Sequence, residues 1–507
     1  MKAMKANGQE DRSGPTPDLV IIQNWDGNKS TSFLCRPRNP ANIILNFLSL
    51  VVLWANLLQP GTIGAQTPIR VAAGRTHSLF LLQNGSLWAV GFNNYGQLGD
   101  GTTNNSNRPK LIEPGGVKSV AAGDYYSLYL KNDGTVWAMG ENDGQFNGNT
   151  WFGTNMPVLV ASNATAIAAG HNYCFYIKTD GSLWGTGGNQ WGQLGDGIYP
   201  LSWTNQYEMI VASNVTAISA YTGHAMFIKK DGSLWGMGEN RFGQLGNGVY
   251  YTLTNTPTMI VSKGVTAIAV GANHSLFLKN DGSLWAMGVN DSGQLGGASI
   301  NYGGTLCANT PECIAGGVIT IAAGFDHSLF IKNDGSLWGM GYNYYGQLGL
   351  GSAGTYANQS SPIKLVDSGV TSISANQRYS MFSKTDGSIW GMGNNDNGQL
   401  GTNYNYWNLP TGGGNYATNN SLIPTRVAAG LLPSQNKISG QLIFGRKVRL
   451  SFLGYEGLKY ALDRSYSLTL PNWVGQATNA AGVGGTLLFT NAPTTNPVVY
   501  YRTRYIP

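Results

Sequence analysis

The residue types that most often carry chemistry are few in this chain and regularly placed. Four of the five histidines, His77, His224, His274 and His327, follow the phrase AAG-x-x-H or a variant of it, and Tyr126, Tyr173 and Tyr379 take the same place in three further stretches. Histidine could serve as a general base or a metal ligand. A place that tyrosine fills equally well, repeated at intervals of about fifty residues, reads instead as a structural ring held by hydrogen bonds to nearby backbone. His171 stands outside the pattern and has no partner in sequence. Asn93, Asn142, Asn189, Asn240, Asn290, Asn343 and Asn395 recur four residues before Gln97, Gln193, Gln244, Gln294, Gln347 and Gln399, with Gln145 three residues on in the second copy. They could be imagined as a ligand ring, but Asn tolerates left-handed backbone and Gln can satisfy loop amides, so they read as corner braces. Gly339-Met340-Gly341 imitates a phosphate loop without a following helix to present its N-terminus. The sequence has no HExxH, GxSxG or Walker lysine. No catalytic residue, metal site or cofactor is therefore expected, and the chain reads as a non-enzyme.

The elements that must hold these residues are visible in a longer period. The tryptophan of Gly-Ser-Leu-Trp or a close variant recurs at Trp88, Trp137, Trp184, Trp235, Trp285, Trp338 and Trp390, and the unit of about fifty residues fills the stretch from Ile69 to Val427. HSLFLK and GSLWAMG are apolar on both faces, which suits strands sandwiched between layers. Between them, Asn84-Gly85 or an Asp-Gly pair (Asp133, Asp180, Asp231, Asp281, Asp334, Asp386) predicts a two-residue turn with positive φ at both positions. VTAIA supplies another strand. The segment beginning at Pro109, Pro157, Pro257, Pro311, Pro362 or Pro424, or at Glu208 in the third copy, supplies a fourth. Seven such sheets must bury both faces against one another, and radial packing does so with few exposed edges. A linear solenoid is the rival, but its repeats are usually shorter and lack this hairpin signal. The expected fold is all-β, a seven-bladed β-propeller followed by a small C-terminal β-sandwich-like module.

The phrase G-x-N-x-x-G-Q-L-G, present as GFNNYGQLG, GGNQWGQLG, GENRFGQLG, GVNDSGQLG, GYNYYGQLG and GNNDNGQLG, together with AAG-x-x-HSL, resembles the repeat of the regulator of chromosome condensation family. The second copy departs, reading GENDGQFNG. The resemblance covers about seven tenths of the chain and implies a seven-bladed propeller, in agreement with the period.

Composition and charge narrow the function. Glycine is 71 of 507 residues and charged residues only 11%, which excludes a coiled coil or a charge-rich disordered chain. Residues 66–436 carry 17 Lys/Arg against 19 Asp/Glu, so the repeat region is slightly acidic and a nucleic-acid partner is not expected. Residues 1–65 have a polar lead, an apolar run from Ile43 to Leu58 and small residues to Ala65, the order of a secretory signal cut near Ala65–Gln66. An uncleaved anchor is the alternative, and the only route to membrane contact. Residues 66–430 form the propeller and 431–507, with 8 Lys/Arg against 2 Asp/Glu, the C-terminal module. The destination is then secreted or cell envelope, where Cys307 and Cys313 are expected to form a disulfide in the fifth-copy loop. Cys174 takes a strand position and reads as a buried thiol.

The loops after each GQLG corner vary in length while the blades barely vary, and recognition usually sits on such loops. Trp151, Phe152, Trp203, Tyr207, Tyr250, Tyr251, Tyr404, Tyr406 and Trp407 lie in them among Asn, Ser, Thr and Gly. That mixture suits protein contact or stacking on sugar. The reading is an exported, monomeric scaffold that binds a protein or carbohydrate. The alternative is a regulator of another protein, either a guanine-nucleotide exchange factor, as the resemblance implies, or an inhibitor of a secreted enzyme.

Overall fold

The computed structural model describes residues 70–427 except 142–152, 199–203, 298, 355–356 and 403–419. It also describes the strands at 19–26 and 29–35 and six more between 439 and 506. The chain divides into two compact units, Ala65–Ala428 and a second made of Met1–Gly64 with Ala429–Pro507.

The larger unit is a ring of seven antiparallel sheets, each from one continuous stretch of chain. The sixth, as an example, runs Val318–Ala323, His327–Lys332, Leu337–Gly341 and Gln359–Val366, paired in that order. The second strand of every blade is buried along nearly its whole length because its two faces meet the two neighbouring blades. Between blades six and seven, Leu329, Ile331, Leu337 and Leu348 pack against Val370, Ile373, Phe382 and Met392. Each fully buried side chain of this kind contributes about 1.5–3 kcal/mol, which is what holds blade on blade. The expected seventh closing strand is present as Ser421–Arg426, paired with Ile389–Gly393.

The Asp-Gly hairpin differs from the expected two-residue turn. Lys332 N–H donates to Ser336 O and Gly335 N–H to Lys332 O, so three residues lie in the loop and only the glycine has positive φ (Gly335, +75°). The aspartate anchors a side-chain relay instead. Asp334 Oδ1 accepts from both Ser336 N–H and Oγ–H, and Ser336 Oγ accepts from Trp338 Nε1–H at 2.8 Å. This relay explains why Asp, Ser and Trp recur together. The indole then stacks on Phe330 with centroids 6.2 Å apart, and Lys332 Nζ covers it at 4.4 Å.

The expected Cys307–Cys313 disulfide is absent. Both thiols are free and lie on one strand, Thr305–Ala315, where Cys307 faces Val289 and Cys313 faces Trp285 on the adjacent strand. The bulge opposite Ala286–Gly288 lets the six residues cover four positions of the partner strand, still about 13 Å, whereas a disulfide needs Cα atoms within about 7 Å. Cys307 is buried and Cys313 exposed. A maleimide should therefore label Cys313 in the native protein and Cys307 only after denaturation, read by peptide mass; equal native labelling would contradict the burial. Cys174 is buried as expected, and burial pushes its thiol up to about 12.

The second unit has a five-stranded sheet and a three-stranded sheet. The five-stranded sheet joins Leu19–Asp26 and Lys29–Cys35 to strands from the C-terminal segment, Leu19–Asp26 pairing parallel with Val498–Ile506. Removal of residues 1–65 would strip two strands from that sheet. The apolar run Ile43–Leu58 lies outside the described residues, and among those described no helix is long and apolar enough to cross a membrane.

Candidate functional site: the mouth of the ring

The His/Tyr position forms a circuit around the ring, each member reaching into the next blade. His77 Nε2 meets Ser127 Oγ at 2.8 Å, His224 meets Ser275, His274 meets Ser328 and His327 meets Ser380. Each serine hydroxyl donates in turn to a backbone carbonyl of the preceding blade (Gln97, Gln244, Gln294 or Gln347). The serine proton is thus committed, so the imidazole must donate from Nε2. Complete burial holds all four rings neutral, at pKa values of about 3. Where the next blade lacks the serine, having Cys174 or Ala225, a longer tyrosine reaches backbone instead: Tyr126 OH donates to Tyr173 O and Tyr173 OH to His224 O. The partners are therefore mostly a neighbouring blade's hydroxyl, rather than nearby backbone alone.

The same circuit closes the ring. Tyr379 OH donates to His77 O at 2.5 Å and lies 3.0 Å from Ser78 Oγ, whose hydroxyl donates to Gln399 O. Asn376 Nδ2 donates to Ala73 O, and Ala73 N–H to Ser374 Oγ. Among the described residues no strand is exchanged between the first and last blades. The glycine three residues before the histidine is needed because the ring lies over it: a Cβ at Gly74 would stand 2.4 Å from His77 Cε1. Two blades carry side chains there, Tyr221 and Asn376, and Tyr221 OH donates to Asn376 Oδ1 at 2.7 Å, joining blades four and seven.

The Asn and Gln of the corner phrase are braces, as expected. Asn343 Oδ1 accepts from Leu348 N–H and Gln347 Oε1 from Tyr345 N–H, and the other described copies repeat both bonds. The corner of the second copy, GENDGQFNG, lies outside the described residues beyond Glu141.

What the braces display is the variable residues of the same phrase. Phe92, Tyr95 and Tyr125 form one cluster, Tyr95 and Tyr125 centroids 4.9 Å apart, with the Arg75 guanidinium 5.3 Å from the Tyr125 ring. Tyr342, Tyr344 and Tyr345 form a second, with Arg378 4.7 Å over Tyr345. Arg241 lies over Phe242 and Tyr251 in a third. Tyr95 (43%), Trp191 (45%) and Tyr344 (45%) remain exposed. Apart from Tyr251, the sequence pattern did not single out these positions, because the period is carried by the invariant letters around them; the aromatic content of the two x residues after Asn was the available signal.

Charges gather at the same mouth. Asp124 Oδ2, nearly buried, accepts from Arg75 Nη1 at 3.1 Å and from His171 Nε2 at 2.8 Å, joining blades one, two and three. The bond to Asp124 raises the His171 pKa above its ordinary value. Burial and neighbouring Asp291 push the Asp326 carboxyl up to about 6. Among the described residues no group of three His, Cys, Asp or Glu is placed to hold a metal.

The loop aromatics chosen from sequence are dispersed. Tyr207 stands where other blades have the outer-strand proline, one residue before Glu208, and packs edge-on to Tyr176 between blades two and three. The Tyr250 hydroxyl is buried. Tyr251 is exposed and has positive φ (+55°), which a bulky residue rarely adopts. Trp151, Phe152, Trp203, Tyr404, Tyr406 and Trp407 lie outside the described residues.

Comparison with known proteins agrees with this geometry. The family models described as Regulator of chromosome condensation (RCC1) repeat match residues 84–130, 231–278, 281–331 and 334–383, and, in a second form, six segments between 69 and 399. Prp20p from Saccharomyces cerevisiae superposes with a TM-score of 0.59 at 20% identity, covering 74% of this chain and 88% of its own. Human WBSCR16 superposes at 0.56 and 18% identity, covering 72% and 95%. At such identities the superpositions establish the fold alone, but the two repeat models together span just over half of the residues, so the chain belongs to the regulator of chromosome condensation (RCC1) repeat family.

Proposed function

We propose that the chain is a non-enzymatic protein-binding scaffold whose recognition surface is the mouth of the ring. The observation that carries this reading is the display of exposed Tyr95, Tyr251 and Tyr344 in clusters that include Arg75, Arg241 and Arg378, with exposed Trp191 on a further corner, all braced by buried Asn and Gln. Tyr, Trp and Arg are the residues that dominate binding energy at protein interfaces, and a rigid support lowers the entropy cost of using them. The His171–Asp124 pair does not argue for hydrolysis: the partners of His171 are Asp124, Asn172 and the Tyr221 carbonyl, with no hydroxyl or thiol nucleophile among them. Prp20p is described with binding to Gsp1p and histones, which supports a protein rather than a carbohydrate as the class of partner. Regulation of a bound protein, including nucleotide exchange, is the second reading and rests on the resemblance of the repeats to the family's namesake.

A pull-down with the full chain, followed by identification of proteins and glycans together, tests the reading. A protein lost when Tyr95 and Tyr344 are replaced supports it; only glycans, or proteins indifferent to those replacements, overturn it. Export is part of the proposal and rests on the apolar run Ile43–Leu58. Fractionation of source cells should find the chain in the envelope or medium, and a wholly cytosolic chain would remove that part.

A further inference from the structure

His171 is the histidine outside the repeat position, and the fold gives it the partner that sequence did not. We infer that His171 and Asp124 form a proton-operated latch at the mouth of the ring, tying blade three to blade two, and through Arg75 to blade one, when the imidazole is protonated and loosening blade three when it is neutral. This concerns the chain itself and stands whether or not the mouth binds protein.

The geometry is that of a hub. One carboxylate oxygen of Asp124, in blade two, receives Arg75 from blade one and His171 from blade three. The backbone follows the same path: Arg75 N–H points to Gly123 O at 3.4 Å, Asp124 N–H to His171 O at 3.4 Å, and His171 N–H donates to Tyr221 O at 2.7 Å. The first two are long for N–H···O bonds, so the side-chain bridge does more of the joining there. Behind it lies a small cavity bounded by Ala122, Gly123, Asp124, Ala169, Gly170, His171, Tyr221 and Asn376.

The groups facing the imidazole set the sign. Asp124 favours its charged form by hydrogen bond and by charge, burial and, more weakly, Arg75 oppose it, the Asn172 side chain adds a supporting bond, and the balance is upward. Tyr221, from blade four, is half-buried, and desolvation raises its pKa well above the ordinary value, so it stays neutral. Asn376, from blade seven, carries no charge. The folded pKa is raised above 6.5, so the latch's contribution is fully present below pH 6.5 and is lost as pH rises through the raised folded value. The imidazole is 44% exposed, so a released ring has room to turn into solvent.

The other four histidines make the test clean, because burial keeps them neutral throughout the range. A proton NMR titration of the full chain should show one histidine titrating near neutrality, with a midpoint above the free value of about 6.5. Asp124→Asn should bring that midpoint down to the free value or below. The melting temperature of the wild type should exceed that of His171→Gln by the largest margin near pH 6, and that margin should shrink by about half or more near pH 8.5. A midpoint at or below 6.5 in the wild type, no response to Asp124→Asn, or a margin independent of pH would overturn the latch. If either variant fails to fold, the wild-type titration still decides.

Discussion

Tyr379→Phe is expected to lower the stability of the propeller by about 1–3 kcal/mol, and Tyr379→Ala by about 3–5 kcal/mol. The hydroxyl donates to His77 O across the seam between the last and first blades and lies beside Ser78 Oγ, and the ring is fully buried. Removing the hydroxyl leaves the buried His77 carbonyl with Gly74 N–H but without the bond that crosses the seam. Removing the ring also leaves a cavity where no shared strand, among the described residues, holds the ends together. Tyr173→Phe is the control, since Tyr173 OH makes the corresponding bond to His224 O at an internal junction. Chemical denaturation of the three variants checks the expectation. If the seam variant loses no more than a few tenths of a kcal/mol, the circuit is not what closes the ring.

The second large effect concerns binding. Tyr95 and Tyr344 project from the corners of blades one and six, each packed against two further rings and exposed on the remaining side. Replacing both by Ala should weaken a captured partner by about 2 kcal/mol or more, roughly thirtyfold, the range of interface residues that dominate affinity. The melting temperature should hardly move, because neither ring is part of a blade core. A triple variant, Tyr404→Ala with Tyr406→Ala and Trp407→Ala, separates this surface from the long aromatic stretch that follows the last GQLG corner. If the triple variant alone weakens binding, recognition lies there and the mouth is only a rim. If Arg75→Ala also weakens binding, the cluster acts as a unit, since the guanidinium lies over Tyr125 and bonds Asp124.

Much of this molecule is local, and that part was legible in the sequence. Seven tryptophans at about fifty-residue spacing, doubly apolar strands and the recurring turn residues specify seven like sheets, because each device closes within a few residues of itself: Asp334 to Ser336, Ser336 to Trp338, Asn343 to Leu348. The number of blades and the bracing roles of Asn and Gln follow from that. The hairpin shows the limit even at short range. The Asp-Gly dipeptide announced a turn, but the serine two residues after the aspartate, bonding back to its carboxylate, selected a three-residue loop over the two-residue one. The disulfide failed for a similar reason: the stretch from Cys307 to Cys313 reads as a loop in isolation, and pairing with Leu284–Val289 draws it into a bulged but extended strand that holds the two thiols apart.

What only the tertiary structure decided involves partners far apart in the chain. His77 finds Ser127 fifty residues on, Tyr221 finds Asn376 at a separation of 155, and Tyr379 finds His77 at 302. Whether a blade uses histidine or tyrosine follows in blades two and three from the absence of serine in the next blade, a rule that can be seen only once the blades are set side by side. His171 had no sequence neighbour to suggest Asp124, because the two meet where separate repeats converge at the mouth. One exposed aromatic cluster has the same origin: Tyr125 of blade two packs against Phe92 and Tyr95 of blade one. Tyr342, Tyr344 and Tyr345 instead lie together in one corner and gain only Arg378 from the next blade.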